Sequence, residues 1–404
     1  MQKTIKIIDL FAGIGGIRLG VTQACEELGY QVECLLTAEI KKPAIASYYL
    51  NYEKDPLVNI TKVDADTIPD FDILCAGFPC QPFSMAGKKL GFADTRGTLF
   101  FEIERILKAK KPKYFILENV KGLVTHNKIN AQDKEGETLK VILNNLQLLG
   151  YNVKYKVLNS KNFGLAMNRE RVFIVGALNQ EFDLEFEIPT TQPVLKDILE
   201  TTIEPKTENV FSLQLKKAFG GNLETLAGTQ FKDKAVAKHI KHSWEFAMRG
   251  SVNQVQALVL DYIAVEYKRT PFFTLNHLQE VALKYNMLFK KEDLQDLIEK
   301  RYLQHKEKGI TLVCGMLSFK FNMILDRNKP TPTIIATEAA KLGVIEHNQV
   351  RSLTALELKR LFGYPEDYKI IENNAMYDLF GNTVTPPVLK AITLRLLNND
   401  TDQK

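Results

Sequence analysis

With 404 residues and 45% apolar content the chain is long enough for two cores and too apolar to be disordered. Its five cysteines are odd in number and form no C-x-x-C pair, which argues against a disulfide framework and a zinc site. With neither a leader-like apolar core nor the ~18 apolar residues of a membrane span, a soluble, cytoplasmic protein is expected. The net charge of +5 is unevenly placed: residues 206–329 hold 20 Lys and Arg against 13 Asp and Glu, and the remainder is slightly acidic. That pattern fits either a polyanion-facing module beside a catalytic body or a solvated face enriched in lysine.

In chain order, Ile5 to Phe11 reads as a buried strand running into the glycine turn AGIGG (12–16) and an amphipathic helix from Ile17 to Leu28. Such a turn lets backbone approach a nucleotide-like ligand, although the third glycine of G-x-G-x-x-G is absent. The next strand, Val32 to Ala38, ends at Glu39, where an acidic residue can accept from ribose hydroxyls or merely face solvent. A helix over 43–52 and a short strand near 57–60 are predicted before the apolar run Ile73 to Ala76. This alternation predicts a parallel, doubly wound sheet.

The run over 73–76 breaks at Gly77 into FPCQPFS (78–84). Pro79 fixes its own φ and Pro82 restricts Gln81, so Cys80 is held in a stiff loop at a strand's carboxyl end. Such a cysteine is either a small buried hydrophobe or a displayed thiol. A loop over 94–97 then enters a helix, and the strand Tyr114 to Leu117 delivers Glu118 to the edge that carries Cys80. A thiol and a carboxyl in one crevice suit nucleophilic attack with assisted proton transfer. Arg169 and Arg171, two apart before a strand, would extend from one face toward a phosphate or base carbonyl, or form a surface ion pair with Glu170.

The motifs DLFAGIGG (9–16), GFPCQPFS (77–84), DTRGTLFFEI (94–103), ENV (118–120), R-x-R (169–171), RSLTALELKRLFGYP (351–365) and GNTV (381–384) stand together in one order. In this the chain closely resembles the cytosine-5 DNA methyltransferases of prokaryotic type II modification systems. The resemblance implies a Rossmann-like S-adenosylmethionine-dependent methyltransferase sheet with helices on both faces, plus a smaller target-recognition domain. It puts the catalytic domain at 1–189 and 372–404 and the recognition domain at 190–371, variable over about 190–350.

The resemblance further implies that Phe11, Ala12, Gly13, Ile14, Gly15 and Gly16 hold S-adenosylmethionine with Glu39, Ile40, Asn59, Ile60, Pro79, Leu99 and Asn382. Cys80 would attack carbon 6 of a flipped-out cytosine, Glu118 would meet ring nitrogen 3, and Arg171 would hold the base carbonyl with Arg169 in support. Asn59, Ile40 and Met167 depart from the family's usual aspartate, aromatic and glutamine. The implied setting is modification of double-stranded DNA, with a restriction endonuclease as cellular counterpart and no metal; the alternative is a transfer-RNA cytosine methyltransferase on the same fold.

The middle, about 190–350, lies outside these motifs. KDKAVAKHIKHSWEFAMRG (232–250) combines five Lys or Arg with the only tryptophan. It reads either as a DNA-facing segment, with Lys238, Lys241 and Arg249 on phosphates beside Gln81, Ser84 and Arg96 of the catalytic part, or as a helix with a solvated basic face and Trp244 in the core. From 254 to 303 the pattern is helical and reads either as a helix-turn-helix or winged fold or as a plain packing pair of helices.

Overall fold

The computed structural model describes residues 3–79, 99–201, 203, 209–313 and 319–398. Cys80, Gln81, Ser84 and Arg96 lie outside the described residues. The chain divides into two compact units: 1–199 with 328–339 and 355–404, and 200–327 with 340–354.

The first unit is built on strands β1 (Thr4–Leu10), β2 (Gln31–Ala38), β3 (Ile73–Gly77), β4 (Tyr114–Val120), β5 (Tyr151–Asn159) and β6 (Glu170–Leu178), in spatial order β2-β1-β3-β4-β6-β5. Helices α1 (Gly16–Glu27), α2 (Lys42–Tyr52), α3 (Leu99–Lys110) and α4 (Glu137–Leu148) connect them. The sheet is mixed where a parallel one was expected. β6 runs antiparallel to both β4 and β5, because β5 and β6 are joined by a short connection over 160–169 with no crossover helix. The strand expected near 57–60 is reduced to a single bridge from Leu57 to Glu39, followed by a 3-10 turn over Ile60–Lys62 that Asn59 caps.

Both faces of the central strands are buried, which is why they read as continuous apolar runs. Ile8, Leu10, Leu74, Leu117 and Ile174 face Phe100, Ile103, Leu139 and Ile142. Ile5, Ile7, Ile73, Ile116 and Val175 face Ile17, Val21 and the C-terminal helix residues Val388, Ile392 and Leu396.

In the second unit, α5 (Val210–Phe219) precedes β7 (Gln230–Phe231) and β8 (Ile240–Lys241). Next come α6 (Gln254–Glu266), α7 (Leu275–Leu283), α8 (Lys291–Glu299) and the hairpin β9 (Leu303–Lys306) with β10 (Gly309–Leu312). Phe273, between α6 and α7, pairs antiparallel with Ile310 of the hairpin. This order, helix, bridge strand, two helices, hairpin, is the winged arrangement that the periodicity resembled. β11 (Met323–Ile324), β12 (Leu342–Glu346) and β13 (Gln349–Ser352) complete a five-stranded sheet with β7 and β8.

The chain returns to the first unit through α9 (Ala355–Phe362), α10 (Ala375–Asn382) and α11 (Pro386–Asn398). Residues 355–371 were expected with the recognition part. They pack with the first unit instead, where Phe362 and Tyr364 meet Phe380 at ring distances of 5.3 and 5.9 Å. α11 packs on α1 at Gly20, where a Cβ would come within 2.4 Å of the Pro386 carbonyl oxygen. Only glycine admits that approach. Among the described residues no helix is long and apolar enough to cross a membrane, and no group of three or more His, Cys, Asp or Glu is arranged to hold a metal ion.

Candidate active site

The carboxyl ends of β1, β2, β3 and β4 lie along one edge of the sheet, the edge where open α/β sheets bind ligands. β1 is followed by Phe11 at φ 56°, a left-handed conformation that a bulky side chain avoids unless its surroundings impose it. The turn continues through Gly13 at φ 57° and Gly15 at φ 86°, and Gly15 is the N-cap of α1. A Cβ on Gly13 would meet nothing within 4 Å, so the turn is open on that side.

Glu39 closes the turn from the tip of β2. Its Oε2 accepts from the Gly13 N–H at 2.8 Å, and its Oε1 accepts from the N–H groups of Ile40 and Lys41 at 2.7 and 2.8 Å. Of about four lone-pair sites on a carboxylate, three are thereby taken and one remains for a ligand. Ala12 donates to the Ala38 carbonyl at 3.1 Å, and the buried Ile14 carbonyl accepts from the Tyr368 hydroxyl. Of the other residues expected to hold the cofactor, Ile40 is 67% exposed, Ile60 is buried, and Pro79 and Leu99 are half-buried. Asn59 is exposed, but its Oδ1 already accepts from the N–H and hydroxyl of Thr61, which restricts the adenine-facing role expected of it.

Asp9, in the last part of β1, is fully buried, and among the described residues neither carboxyl oxygen has a hydrogen-bond partner. Burial raises its pKa to about 7, against the pull of Arg18. A buried carboxyl without donors is costly unless water or a ligand reaches it.

Glu118 is opposite Gly77 in the β3–β4 register, so it lies where β3 leads into Pro79. It is buried, and its Oε1 is 3.1 Å from Nε of Arg171, which β6 brings beside β4. Burial pushes the Glu118 carboxyl up, while Arg171 and then Arg169 oppose it. Arg171 also donates to the Glu170 carbonyl at 2.8 Å. Asn119, to which the sequence reading gave no role, is buried and donates through Nδ2 to the Phe78 carbonyl at 3.2 Å. It thereby pins the exit of β3 to β4; its place inside ENV was the available signal.

Arg169 does not extend beside Arg171. It is 3% exposed and donates to the carbonyls of Ile334 (2.7 Å), Gly381 (3.1 Å) and Thr383 (2.6 Å), with its guanidinium over the Phe362 ring. The reason is local: Arg169 precedes β6, so the alternation that would put both arginines on one face does not extend to it. Truncating Arg169 to Met is expected to destabilise the protein by about 2–4 kcal/mol, because buried carbonyls lose a charged donor. Urea unfolding checks this, and a loss below about 1 kcal/mol would refute it.

The segment 232–250 is neither a helix nor a uniformly exposed basic face. Trp244 is buried, stacked on His242 at 4.5 Å, and donates to Asp261 at 2.9 Å. Asp233 accepts from the Ser243 N–H and hydroxyl at 2.8 and 2.9 Å. Lys241 pairs with Glu245 at 2.9 Å, and Arg249 lies over the Tyr302 ring and donates to the Arg301 carbonyl. Of the three basic candidates here, Lys238 is exposed and Lys241 and Arg249 are half-buried.

The family profile for C-5 cytosine-specific DNA methylase matches residues 5–398. The chain is 42% identical to the type II methyltransferase M.NlaIV of Neisseria lactamica, over 98% of this chain and 100% of that protein. It is 37% identical to the type II methyltransferase M.BanI of Aneurinibacillus aneurinilyticus, over 99% and 97%. The solved structure of the Entamoeba histolytica methyltransferase EhMeth superposes with a TM-score of 0.57 at 17% identity, covering 100% of both chains. At that identity the likeness shows the fold. The profile spanning nearly all of the chain, joined to relatives of matching length, leads to one assignment: the chain belongs to the C-5 cytosine-specific DNA methylase family.

Proposed function

We propose that this protein transfers a methyl group from S-adenosylmethionine to carbon 5 of cytosine in double-stranded DNA, as the modification enzyme of a restriction–modification system in the cytoplasm. The carrying observation is the buried Glu118–Arg171 pair, 3.1 Å apart, at the strand edge that leads through Pro79 to Cys80. The chain fits the cofactor at three points. The glycine turn is open at Gly13, Glu39 keeps an acceptor site, and the buried Asp9 carboxyl, three residues before the turn, has no hydrogen-bond partner among the described residues. Phe11, Ile40, Ile60, Pro79, Leu99 and Asn382 would complete the site, and the bound cofactor would supply an electrophilic methyl group.

Carbon 5 of cytosine is a poor nucleophile, so the ring must be activated. The Cys80 thiolate adds to carbon 6 and forms a C–S bond, and the displaced electron pair moves into the ring toward nitrogen 3. Glu118, raised toward its neutral form, donates its proton or a hydrogen bond there, and Arg171 holds the base carbonyl. Carbon 5 is then enamine-like and able to accept a methyl group, which bound S-adenosylmethionine would supply from its sulfonium, leaving as S-adenosylhomocysteine. Loss of the carbon 5 proton to solvent restores the ring as the C–S bond breaks and nitrogen 3 gives its proton back to Glu118, returning the thiolate and the neutral acid. Stacking shields this position in a duplex, so the base must be turned out.

The first unit would be catalytic and the second would recognise the target, its basic excess supporting phosphate contact. Lys238 joins Gln81, Ser84 and Arg96 as a DNA contact, whereas Lys241 and Arg249 serve as fasteners within their unit. Purified protein with labelled S-adenosylmethionine should label duplex DNA and not transfer RNA; label in transfer RNA alone would overturn the substrate. Bisulfite sequencing of the modified DNA would give the recognition sequence.

A further inference from the structure

Glu39 and Asn382 both belong to the proposed cofactor site, and one side chain that no motif singled out links them. Asp378, one turn before Asn382 on α10, accepts from Nδ2 of Asn382 through its backbone carbonyl at 2.9 Å and its Oδ1 at 3.2 Å. Its Oδ2 is ion-paired with Nζ of Lys41, and the Lys41 N–H donates to Oε1 of Glu39 at 2.8 Å. A continuous chain of contacts therefore runs from the Gly13 N–H through Glu39, Lys41 and Asp378 to Asn382.

The chemistry at Asp378 settles which way the Asn382 amide faces. A carbonyl and a carboxylate are acceptors only, so the group turned toward them must be the NH2. The opposite orientation would set the amide oxygen against two acceptors. Asn382 Oδ1 is then the end left outward, and among the described residues no donor reaches it. An outward carbonyl oxygen suits a cation and disfavours an anion.

We propose that Asp378 is a positioning residue that presents Asn382 as an acceptor, so that Asn382 binds the α-ammonium of the cofactor's amino-acid end rather than its α-carboxylate. This rests on the reading of Asn382 as part of the cofactor site. Asp378 itself does not touch the cofactor. Lys41 holds the Asp378 carboxylate, but the pair is exposed at 42% and 40%, so its own contribution is small.

The test is calorimetric titration, without DNA, of S-adenosylhomocysteine, its analogue lacking the α-amino group, and its analogue lacking the carboxylate. Asn382→Ala is expected to weaken S-adenosylhomocysteine about tenfold, the low end for a hydrogen bond to a charged group, and Asp378→Leu about fivefold, since the residue 378 backbone carbonyl still accepts from Asn382. Both should leave the analogue without the amino group within about twofold of wild type. Lys41→Met should weaken S-adenosylhomocysteine by no more than about threefold, which also separates loss of the tether from loss of orientation. If the carboxylate-free analogue is the insensitive one, Asn382 is a donor to the carboxylate and the proposal fails. Equal weakening of all three ligands, or an Asp378→Leu protein that binds like wild type while Asn382→Ala does not, also overturns it. If instead Asn382→Ala and Glu39→Gln both leave S-adenosylhomocysteine binding unchanged, the underlying cofactor-site reading is what fails.

Discussion

Replacing Cys80 with Ser is expected to lower the rate of DNA methylation by at least about 10^4-fold, on the scale of nucleophile deletions in enzymes with covalent intermediates. Binding of duplex DNA and S-adenosylhomocysteine should stay within about threefold of wild type, since the side chain's volume and polarity change little. The size follows from chemistry. A thiol with an ordinary pKa near 8.5 supplies some thiolate at neutral pH, whereas a serine hydroxyl supplies almost no alkoxide. A duplex with 5-fluorocytosine at the target isolates the covalent step. Fluorine at carbon 5 replaces the proton whose loss would release the enzyme, so wild-type protein should remain attached through denaturing electrophoresis and the Cys80→Ser protein should not. Methylation by Cys80→Ser within tenfold of wild type would overturn the mechanism.

How much of this site was legible in the sequence depends on the range of the interaction each residue makes. Glu39 and Glu118 were readable because their positions at strand ends follow from local periodicity, and a parallel sheet gathers such ends at one edge. The strand boundaries followed for the same reason: the runs at 5–11 and 73–76 are apolar on both faces and sit in the sheet centre. The direction of β6 was not readable, because alternation of side chains is the same in parallel and antiparallel strands. Arg169 was misplaced because its partners are carbonyls 165 to 214 residues away, and a backbone carbonyl leaves no trace in residue identity. Lys241 and Arg249 looked like free cations because a charge count does not weigh their partners. Their partners are a glutamate beside one and a carbonyl plus a tyrosine ring beside the other, and composition counts only the charge. The Lys41–Asp378 pair spans 337 residues and involves positions outside the site residues inferred from the motifs.

Glu118→Gln is expected to reduce the methylation rate about 10^3-fold, within the usual range for a lost general acid, while DNA affinity changes by less than about threefold. Glutamine keeps the shape and can donate a hydrogen bond to ring nitrogen 3 or accept from Arg171, but it cannot transfer a proton. The pH dependence carries the diagnosis. Because burial raises the Glu118 carboxyl over the opposition of Arg171 and Arg169, the fold shifts the balance toward the neutral acid. Wild-type activity should therefore fall as pH rises through the folded-state pKa, and the residual activity of the Gln protein should lack that limb. The same linkage has a sign in stability. A carboxyl whose folded pKa lies above its unfolded value of about 4.3 contributes most below that value, and the contribution is lost as pH rises through the folded pKa. Asp9, raised to about 7, has the same sign and is present in both proteins, so the difference between their unfolding curves isolates Glu118. Glu118→Gln should gain stability relative to wild type as pH rises from about 4.3 through the folded-state pKa of Glu118. A difference that is flat with pH, or one that favours wild type at high pH, would mean that the Arg171 pair outweighs burial and that Glu118 works as a carboxylate, accepting from the base instead of protonating it.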